Sequence, residues 1–520
     1  MRLTDAVGHV TSYQYDGLYR RTVRTLPLSM SESYSYDAHG NVSTIASSNT
    51  NGASMTYTYD VLNRLATATD NRIAGQGGPS SPTTYSYDPT GNLTGYVYPN
   101  TVQTAKLFDP LNRLTQTCSA TSSPACSAGT RLSSFAYTLG LAGNRTAAAE
   151  LPSGRNVAYG YDADYVLTSE TITGDPPPAS NNGSETYTYD VVGNRKTLTS
   201  TVPALPGNQT FSYDSNDRLT TDTIDNNGNT TLSGGVSNTY DFENRMTAHG
   251  TTTMVYDGDG NRVNETVGGT TTKYLVDTLN PTQLPQVLDE TVNGGVTRTY
   301  AYGLQRISEN QLNGSTWTPS FYGYDGHANV RFLTNSAGTV TDTYQYDAFG
   351  RLITTSGSTP NNYFYSGEWS DSIGLYNLRA RYYNQATGRF WTRDAVEGKL
   401  TDANTLHKYL YASGNPVNRV DPLGQVDSFE YDSERVVIRF AEHGLDHLVE
   451  EGLELTQPEV EAYIEQSVRE FLAENKVFVG WQFDIPFVLS QLNNVPWVYR
   501  IYIVSSALVS VSTYFPPPSP

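Results

Sequence analysis

The stretch Tyr-Ser-Tyr-Asp-Ala-His-Gly-Asn at residues 34–41 defines the pattern that fills most of this chain. Close copies stand at residues 57–64, 85–92, 187–194 and 344–351, with shortened copies between them. Alternating tyrosines indicate a half-buried strand that carries its rings on one face. Asp followed by Gly or Asn predicts a tight turn, because Gly and Asn accept a positive φ. Each unit is therefore predicted to be a β-hairpin.

The tyrosine rows of these hairpins have two interpretations. A single hairpin cannot bury its own aromatic row, so rings at a fixed structural period favour packing between stacked hairpins. The alternative is an exposed aromatic face that binds carbohydrate.

The composition divides the 520 residues into two regions. Residues 1–425 hold 41 of the 44 glycines and 34 of the 39 tyrosines, whereas residues 426–520 hold 15 acidic and 5 basic residues. The whole chain has 33 Lys and Arg against 52 Asp and Glu, which excludes a generally basic protein that coats nucleic acid. The sequence shows neither an apolar run long enough for a membrane-spanning helix nor a signal peptide. Because it opens inside the repeat pattern, we expect it to be part of a longer protein.

The repeated motif resembles the YD (Rhs) repeats of bacterial Rhs proteins, wall-associated polymorphic toxins, the C components of insecticidal toxin complexes, and teneurins. The resemblance covers most of residues 10–350. It implies a mainly β fold, in which a strip of YD-repeat hairpins at residues 1–343 spirals into a hollow shell. Such a shell encloses the protein's own C-terminal part as cargo and keeps it inert until delivery.

Residues 344–425 resemble the Rhs repeat-associated core. The resemblance rests on Gly-Leu-Tyr-Asn-Leu-Arg-Ala-Arg-Tyr-Tyr at residues 374–383, Gly-Arg-Phe-Trp-Thr-Arg-Asp at 388–394 and Asp-Pro-Leu-Gly at 421–424. In that family the core caps the shell and acts as an intramolecular aspartyl protease. The resemblance assigns Asp394 and Asp421 as the catalytic pair, Arg393 as an assisting residue, and the cut after Gln425.

An aspartate pair suits this chemistry because one carboxyl group must be protonated while the other is ionised. Two like charges held close together raise one pKa and produce that difference. Two positions depart from the family pattern, Ala395 where Pro is preferred and Gln425 where Leu or Met is usual. The alternative interpretation is that Asp394 and Asp421 are simply turn residues.

Residues 426–520 are predicted to form a small α+β domain of order β-α-α-β-β-β-β. The predicted elements are a strand at 435–440, helices at 440–452 and 456–475, and strands at 477–483, 487–492, 497–504 and 508–515. The run 438–453 and the last strand resemble RelE-like domains of the barnase–EndoU–colicin–RelE ribonuclease group. The resemblance implies a ribonuclease that needs neither metal nor cofactor.

Five residues of this region are candidates for the nuclease site. His443 and His447 lie four residues apart, so they share a helix face and can supply the general base and acid. Arg500 suits the phosphate, and Thr513 and Tyr514 end the strand where related folds place hydroxyl groups. A zinc site and ordinary surface or capping histidines are the alternatives. The zinc motif His-Glu-x-x-His has Gly444 in place of its Glu, and no third ligand is evident.

Three functions for the whole chain remain open. The first is a toxin whose shell encloses a nuclease, the second a secreted wall or adhesion protein with an inert tail, and the third a toxin of another enzyme class. The resemblance implies a secreted or cell-surface location. It also implies a cognate immunity protein, a secretion apparatus or upstream Rhs region, and RNA as partners.

Cys118 and Cys126 bracket a short loop between two repeats. A local disulfide in an oxidising compartment and two unpaired thiols are both compatible with this spacing. Nothing around the two cysteines indicates catalysis.

Overall fold

The computed structural model shows the repeats as a meander of antiparallel strands. It describes residues 2–4, 8, 10–27, 30–72, 75, 77–79, 81–122, 126, 131–177, 180–396, 406–425, 437–440, 482–488, 496–505 and 508–515. By its internal contacts the chain divides into two units. The larger unit holds Met1–Thr58 and Leu65–Asp427, and the smaller one holds Tyr59–Arg64 and Ser428–Pro520.

Two long sheets contain the YD repeats. Among the described residues, eighteen strands form the first sheet and pair in chain order. These strands, β1–β18, are Arg2–Thr4, Val10–Tyr15, Arg21–Thr25, Ser31–Tyr36, Val42–Ser47, Ser54–Tyr59, Leu65–Asp70, Thr83–Tyr87, Leu93–Val97, Gln103–Phe108, Leu114–Ala120, Arg131–Leu139, Arg145–Leu151, Asn156–Tyr161, Leu167–Thr173, Gly183–Tyr189, Arg195–Ser200 and Gln209–Thr210.

The second sheet continues the same meander with fourteen described strands. These strands, β19–β32, are Thr223–Ile224, Thr230–Ser233, Val236–Tyr240, Met246–His249, Thr252–Tyr256, Arg262–Val267, Thr270–Asp277, Gln286–Val292, Gly295–Tyr302, Arg306–Asn313, Thr316–Tyr324, Val330–Thr334, Val340–Tyr346 and Leu352–Ser356. The predicted mainly β class and the hairpin strip are confirmed.

The YD motif closes each hairpin through the aspartate side chain. Oδ1 of Asp37 accepts the backbone amide of Asn41 at 2.9 Å, and Oδ2 accepts the Asn41 side-chain amide at 2.9 Å. Gly40 has a φ of +91°, which only a residue without Cβ adopts freely. In another copy Arg113 replaces the Asn, and its Nε donates to Asp109 at 2.7 Å. The alternation of Asn and Arg in the motif therefore preserves one hydrogen bond.

The two tyrosines of the motif have different structural roles. The first is buried against neighbouring hairpins, as at Tyr34, Tyr57, Tyr85, Tyr187 and Tyr344. The second donates its hydroxyl hydrogen to a backbone carbonyl of the preceding strand, as Tyr36 does to Arg21 at 2.7 Å and Tyr87 does to Leu65 at 2.8 Å. These hydroxyl groups join successive hairpins. The packing interpretation of the tyrosine rows is confirmed.

A buried ion network joins the first sheet to the second. The side chain of Arg24, on β3, is fully buried and contacts Glu32 at 3.1 Å and Asp257 at 2.6 Å. Its Nη2 also lies 2.6 Å from Asp259. Burial raises the pKa of Glu32 to about 7, and Arg24 opposes this shift. The guanidinium thus compensates carboxylates that come from both sheets.

Replacing Arg24 with Ala is expected to lower the free energy of unfolding by about 3–5 kcal/mol, because it leaves buried carboxylates without their cation. The matched control is Arg20→Ala, which removes a partly exposed pair with Asp16 and is expected to cost less than about 1 kcal/mol. Urea denaturation followed by circular dichroism measures both values. Equal losses for the two variants would contradict the importance of the buried network.

The core after the second sheet is a small aromatic unit. Its strands are β33 (Trp369–Ser370), β34 (Tyr376–Leu378), β35 (Arg381–Asn384) and β36 (Arg389–Phe390), with 3-10 turns at Tyr365–Gly367 and Ala412–Gly414. Tyr383 stacks on Tyr411 with ring centroids 4.0 Å apart. The hydroxyl group of Tyr383 donates to the carbonyl of Phe349 at 2.8 Å, which ties the core to the last YD turn.

The smaller unit contains one described sheet of four strands. They are β37 (Val437–Phe440), β38 (Gln482–Val488), β39 (Pro496–Ser505) and β40 (Leu508–Phe515), in the order β37-β40-β39-β38. The prediction of separate strands at 477–483 and 487–492 is wrong, since β38 runs through Pro486. Because β38 lies at the sheet edge, a residue without an amide hydrogen is tolerated there. The two predicted helices lie outside the described residues.

The structure also answers two smaller questions from the sequence. Cys118 and Cys126 form a disulfide with an S–S distance of 2.14 Å, so the loop-disulfide alternative is confirmed. Among the residues that the structure describes, none belongs to a helix with the length and apolar character needed to cross a membrane.

Candidate functional site

Asp394 and Asp421 lie together on a single guanidinium group. Nη2 of Arg381 lies 2.8 Å from Oδ2 of Asp394 and 3.3 Å from Oδ2 of Asp421. Asp421 is 2% exposed, and Asp394 is half-buried. The structure thus brings the two sequence-predicted aspartates together, although 27 positions separate them in the chain.

Backbone contacts fix each carboxylate. Asp394 follows β36, and its amide donates to the carbonyl of Lys408 at 2.9 Å while its Oδ1 accepts the amide of Val396 at 2.8 Å. Asp421 begins a turn in which its Oδ1 accepts the amide of Gln425 at 3.0 Å. The turn at residues 421–425 therefore brings the Asp421 side chain back to the predicted cleavage position at Gln425.

The surroundings of the two carboxyl groups differ. Burial raises the pKa of Asp394 above its usual range, and the nearby Arg381 partly opposes this effect. Asp421 accepts hydrogen bonds on both oxygens, one from Gln425 and one from Arg381. The two carboxyl groups of the pair therefore have unequal surroundings, which is the condition for an acid and a base to act together.

Sequence reasoning selected Arg393 as the assisting residue and missed Arg381. The side chain of Arg393 is exposed, and its amide donates to the carbonyl of Gly228 at 3.1 Å. Arg381 is buried, with its guanidinium carbon 3.6 Å from the ring centroid of Phe390. Arg381 does stand in the family-like run 374–383. That run also contains Arg379, however, and its spacing does not show which arginine faces the aspartates.

The structure places part of the predicted nuclease site. Arg500 on β39 and Thr513 on β40 are direct partners in the sheet register, and Tyr514 pairs with Tyr499 one position along. These positions bring the predicted phosphate-binding residue and the predicted hydroxyl groups onto neighbouring strands. His443 and His447 lie outside the described residues.

Metal chemistry has no candidate site in the described ranges. No group of three or more His, Cys, Asp or Glu side chains there is arranged to hold a metal ion. The two aspartates of the core share an arginine instead.

Comparisons with known proteins support the repeat assignment. The family model described as RHS Repeat matches residues 36–78. The tRNA3(Ser)-specific nuclease WapA of Bacillus spizizenii is 36% identical over 259 residues, which are 46% of this chain and 11% of that protein. Salivary gland surface protein 1 of Aedes aegypti is 36% identical over 104 residues, or 19% of this chain and 3% of that protein. The chain thus spans a small part of the length of these relatives.

The fold also matches solved structures. The TcdB2–TccC3 protein without its hypervariable C-terminal region superposes with a TM-score of 0.66 at 17% identity. The match covers 80% of this chain and 24% of that one. Similarity at this level of identity concerns the fold alone, and it extends well beyond the residues that the family model matches.

Proposed function

We propose that this YD (Rhs) repeat protein is part of an Rhs-type toxin, which cuts itself after Gln425 and thereby releases residues 426–520 as its effector. The observation that carries the proposal is the contact of Arg381 with both Asp394 and Asp421. An aspartate that only stabilises a turn needs no second carboxylate beside it. Two aspartates that hydrolyse a peptide bond must both lie close to that bond. The contact of Asp421 with the Gln425 amide supports the position of the cut.

The pair would hydrolyse the bond between Gln425 and Val426. Ionised Asp421 takes a proton from water, and the water oxygen bonds to the carbonyl carbon of Gln425. Protonated Asp394 gives its proton to the nitrogen of Val426 as the carbon–nitrogen bond breaks. The products are a carboxylate on Gln425 and a free amine on Val426. Arg381 holds both side chains and stabilises the charge that they share.

The wild-type chain is expected to cut itself at low pH and to lose this activity as the pH rises. Cleavage requires protonated Asp394, so it is present below the raised pKa of Asp394 and is lost as the pH rises through that value. The test is cell-free synthesis of the chain in buffers of different pH, with N-terminal sequencing of the smaller fragment. A chain that stays whole at every pH, or a fragment that does not begin at Val426, contradicts the proposal.

The released region is proposed to be a ribonuclease. Two observations support this assignment, namely the register pairing of Arg500 with Thr513 and the name of one relative, the tRNA3(Ser)-specific nuclease WapA. The name of the solved structure refers to a hypervariable C-terminal region, in keeping with a shell that carries different effectors. A toxin of this type acts outside the cell that makes it and requires a cognate immunity protein. Secretion or display at the cell surface, and the secretion apparatus as a partner, belong to the same proposal.

A surface protein with an inert tail is the second candidate. It is favoured by the similarity to the salivary gland surface protein. The two candidates differ in the activity of residues 426–520, which an assay of tRNA cleavage measures.

A further inference from the structure

The hairpin between β34 and β35 holds the segment before Gln425 by three consecutive carbonyl groups. The hairpin tip comprises residues 379–381, and the segment that it holds comprises residues 422–424. The hydrogen bonds run in order from Arg379 Nη1 to the carbonyl of Pro422, from the Ala380 amide to Leu423 at 3.2 Å, and from Arg381 Nε to Gly424. Donor and acceptor positions advance together, so the segment lies on the tip in a single register.

Further contacts hold the side chain of Arg379 in the position from which it binds the carbonyl of Pro422. Arg379 has a φ of +63°, an unfavourable conformation for a residue with a side chain. Its Nη1 lies 3.0 Å from both carboxylate oxygens of Glu368, and its Nε donates to the carbonyl of Pro285 at 3.1 Å. These contacts hold the guanidinium at Pro422 and compensate for the backbone conformation.

The tip also leaves no room for a side chain at Gly424. Gly424 has a φ of +66°, and a Cβ atom at this position would lie 2.5 Å from the carbonyl oxygen of Leu378 and 3.0 Å from the amide nitrogen of Arg381. Backbone atoms form both contacts, so no side-chain movement relieves them. The position directly before Gln425 therefore accepts only glycine.

We propose that the hairpin tip is a peptide-binding subsite that selects the bond to be cut. It binds the three residues before Gln425 through their carbonyl groups, excludes side chains at the last of them, and thereby places the carbonyl of Gln425 at Asp394 and Asp421. This subsite rests on the proposed self-cleavage. Binding of residues 422–424 at this subsite explains why the two aspartates cut only one peptide bond of the chain. The bond is defined by its distance from the bound segment rather than by the side chain of Gln425.

Gly424→Ala is expected to slow self-cleavage by roughly 100-fold, since a displacement of the reacting group by about 1 Å has an effect of that size. The matched control is Gly374→Ala in the same core. Gly374 has a φ of +81° but open space around it, so this variant carries the same backbone penalty without the clash and is expected to cut at the wild-type rate. Time courses of cell-free synthesis on denaturing gels measure the rates, and thermal unfolding checks that each variant folds.

Arg379→Gly provides a second test that does not depend on Gly424. Glycine accepts the positive φ, so this variant keeps the hairpin backbone while it removes the contact with Pro422, together with the contacts to Glu368 and Pro285. We expect slower cleavage and fragments that begin at more than one residue, as mass spectrometry of the smaller product would show. A wild-type chain that does not cut overturns both the self-cleavage and the subsite. A wild-type cut that Gly424→Ala and Arg379→Gly reproduce in rate and position overturns the subsite alone.

Discussion

Replacing Asp421 with Asn is expected to leave the chain whole, while the wild type separates after Gln425. Asn has nearly the same shape as Asp, and its side-chain oxygen can still accept the amide of Gln425, so the turn is retained. Asn cannot take a proton from water, however, and loss of general base catalysis costs roughly 10²–10⁴ in rate. Because the carboxyl groups act as a pair, we expect the loss at the upper end of this range.

The measurement is a denaturing gel with intact-mass analysis of the wild type and the variant after equal times. The control is Asp371→Asn, which alters another buried aspartate of the core. Asp371 pairs with Arg262 rather than with Arg381, so this variant is expected to cut like the wild type. Equal fragment yields from the wild type and Asp421→Asn would remove the protease from the proposal and would return Asp421 to the role of a turn residue.

The fold was predictable wherever its cause is local. Within a YD turn, Asp37 contacts a residue four positions away, and Gly40 supplies the positive φ between them. The eight-residue motif therefore contains the information for its own turn. Repetition of the motif then requires that hairpins stack, which is why the strip could be derived without knowledge of the sheets' order.

Contacts between distant parts of the chain were not predictable in this way. Arg24 meets Asp257 across more than two hundred residues, and no local pattern marks either residue as a partner of the other. The same holds for Arg381, whose bridge to Asp394 and Asp421 depends on how the core folds. The two aspartates could be selected because a family motif contains them. The motif contains Arg381 as well, but it does not state what that arginine contacts.

The strands of residues 426–520 show a third limit of prediction from the sequence. The sequence predicts two strands, at 477–483 and 487–492, and Pro486 lies in the gap between them. The structure places Pro486 inside β38, at the edge of the sheet that the described strands form, a position where proline is tolerated. Whether a strand lies at an edge depends on the order of the whole sheet, which a local pattern does not contain.

The released residues 426–520 are expected to cleave tRNA in the presence of EDTA. His443 can take the proton of the 2′-hydroxyl group, His447 can protonate the leaving 5′-oxygen, and Arg500 can bind the phosphate, since its planar guanidinium offers two parallel donors. The strongest argument against this activity is the excess of ten negative charges in the region, which repels RNA at long range. Such repulsion slows the encounter and makes it depend on salt, but it does not prevent catalysis in a locally basic cleft.

Substitution of either histidine by Ala is expected to lower the rate by roughly 10²–10⁴, because each variant removes one of the two proton transfers. The measurement is the loss of intact tRNA with time for the wild type, His443→Ala and His447→Ala. Arg500→Ala and Arg469→Ala form a matched pair, since both remove one positive charge and only Arg500 lies opposite Thr513 in the sheet register. Arg500→Ala is expected to lose activity, and Arg469→Ala is expected to keep it. Absence of cleavage by the wild type would favour the surface protein with an inert tail, whereas equal cleavage by both histidine variants would assign the nuclease chemistry to other residues.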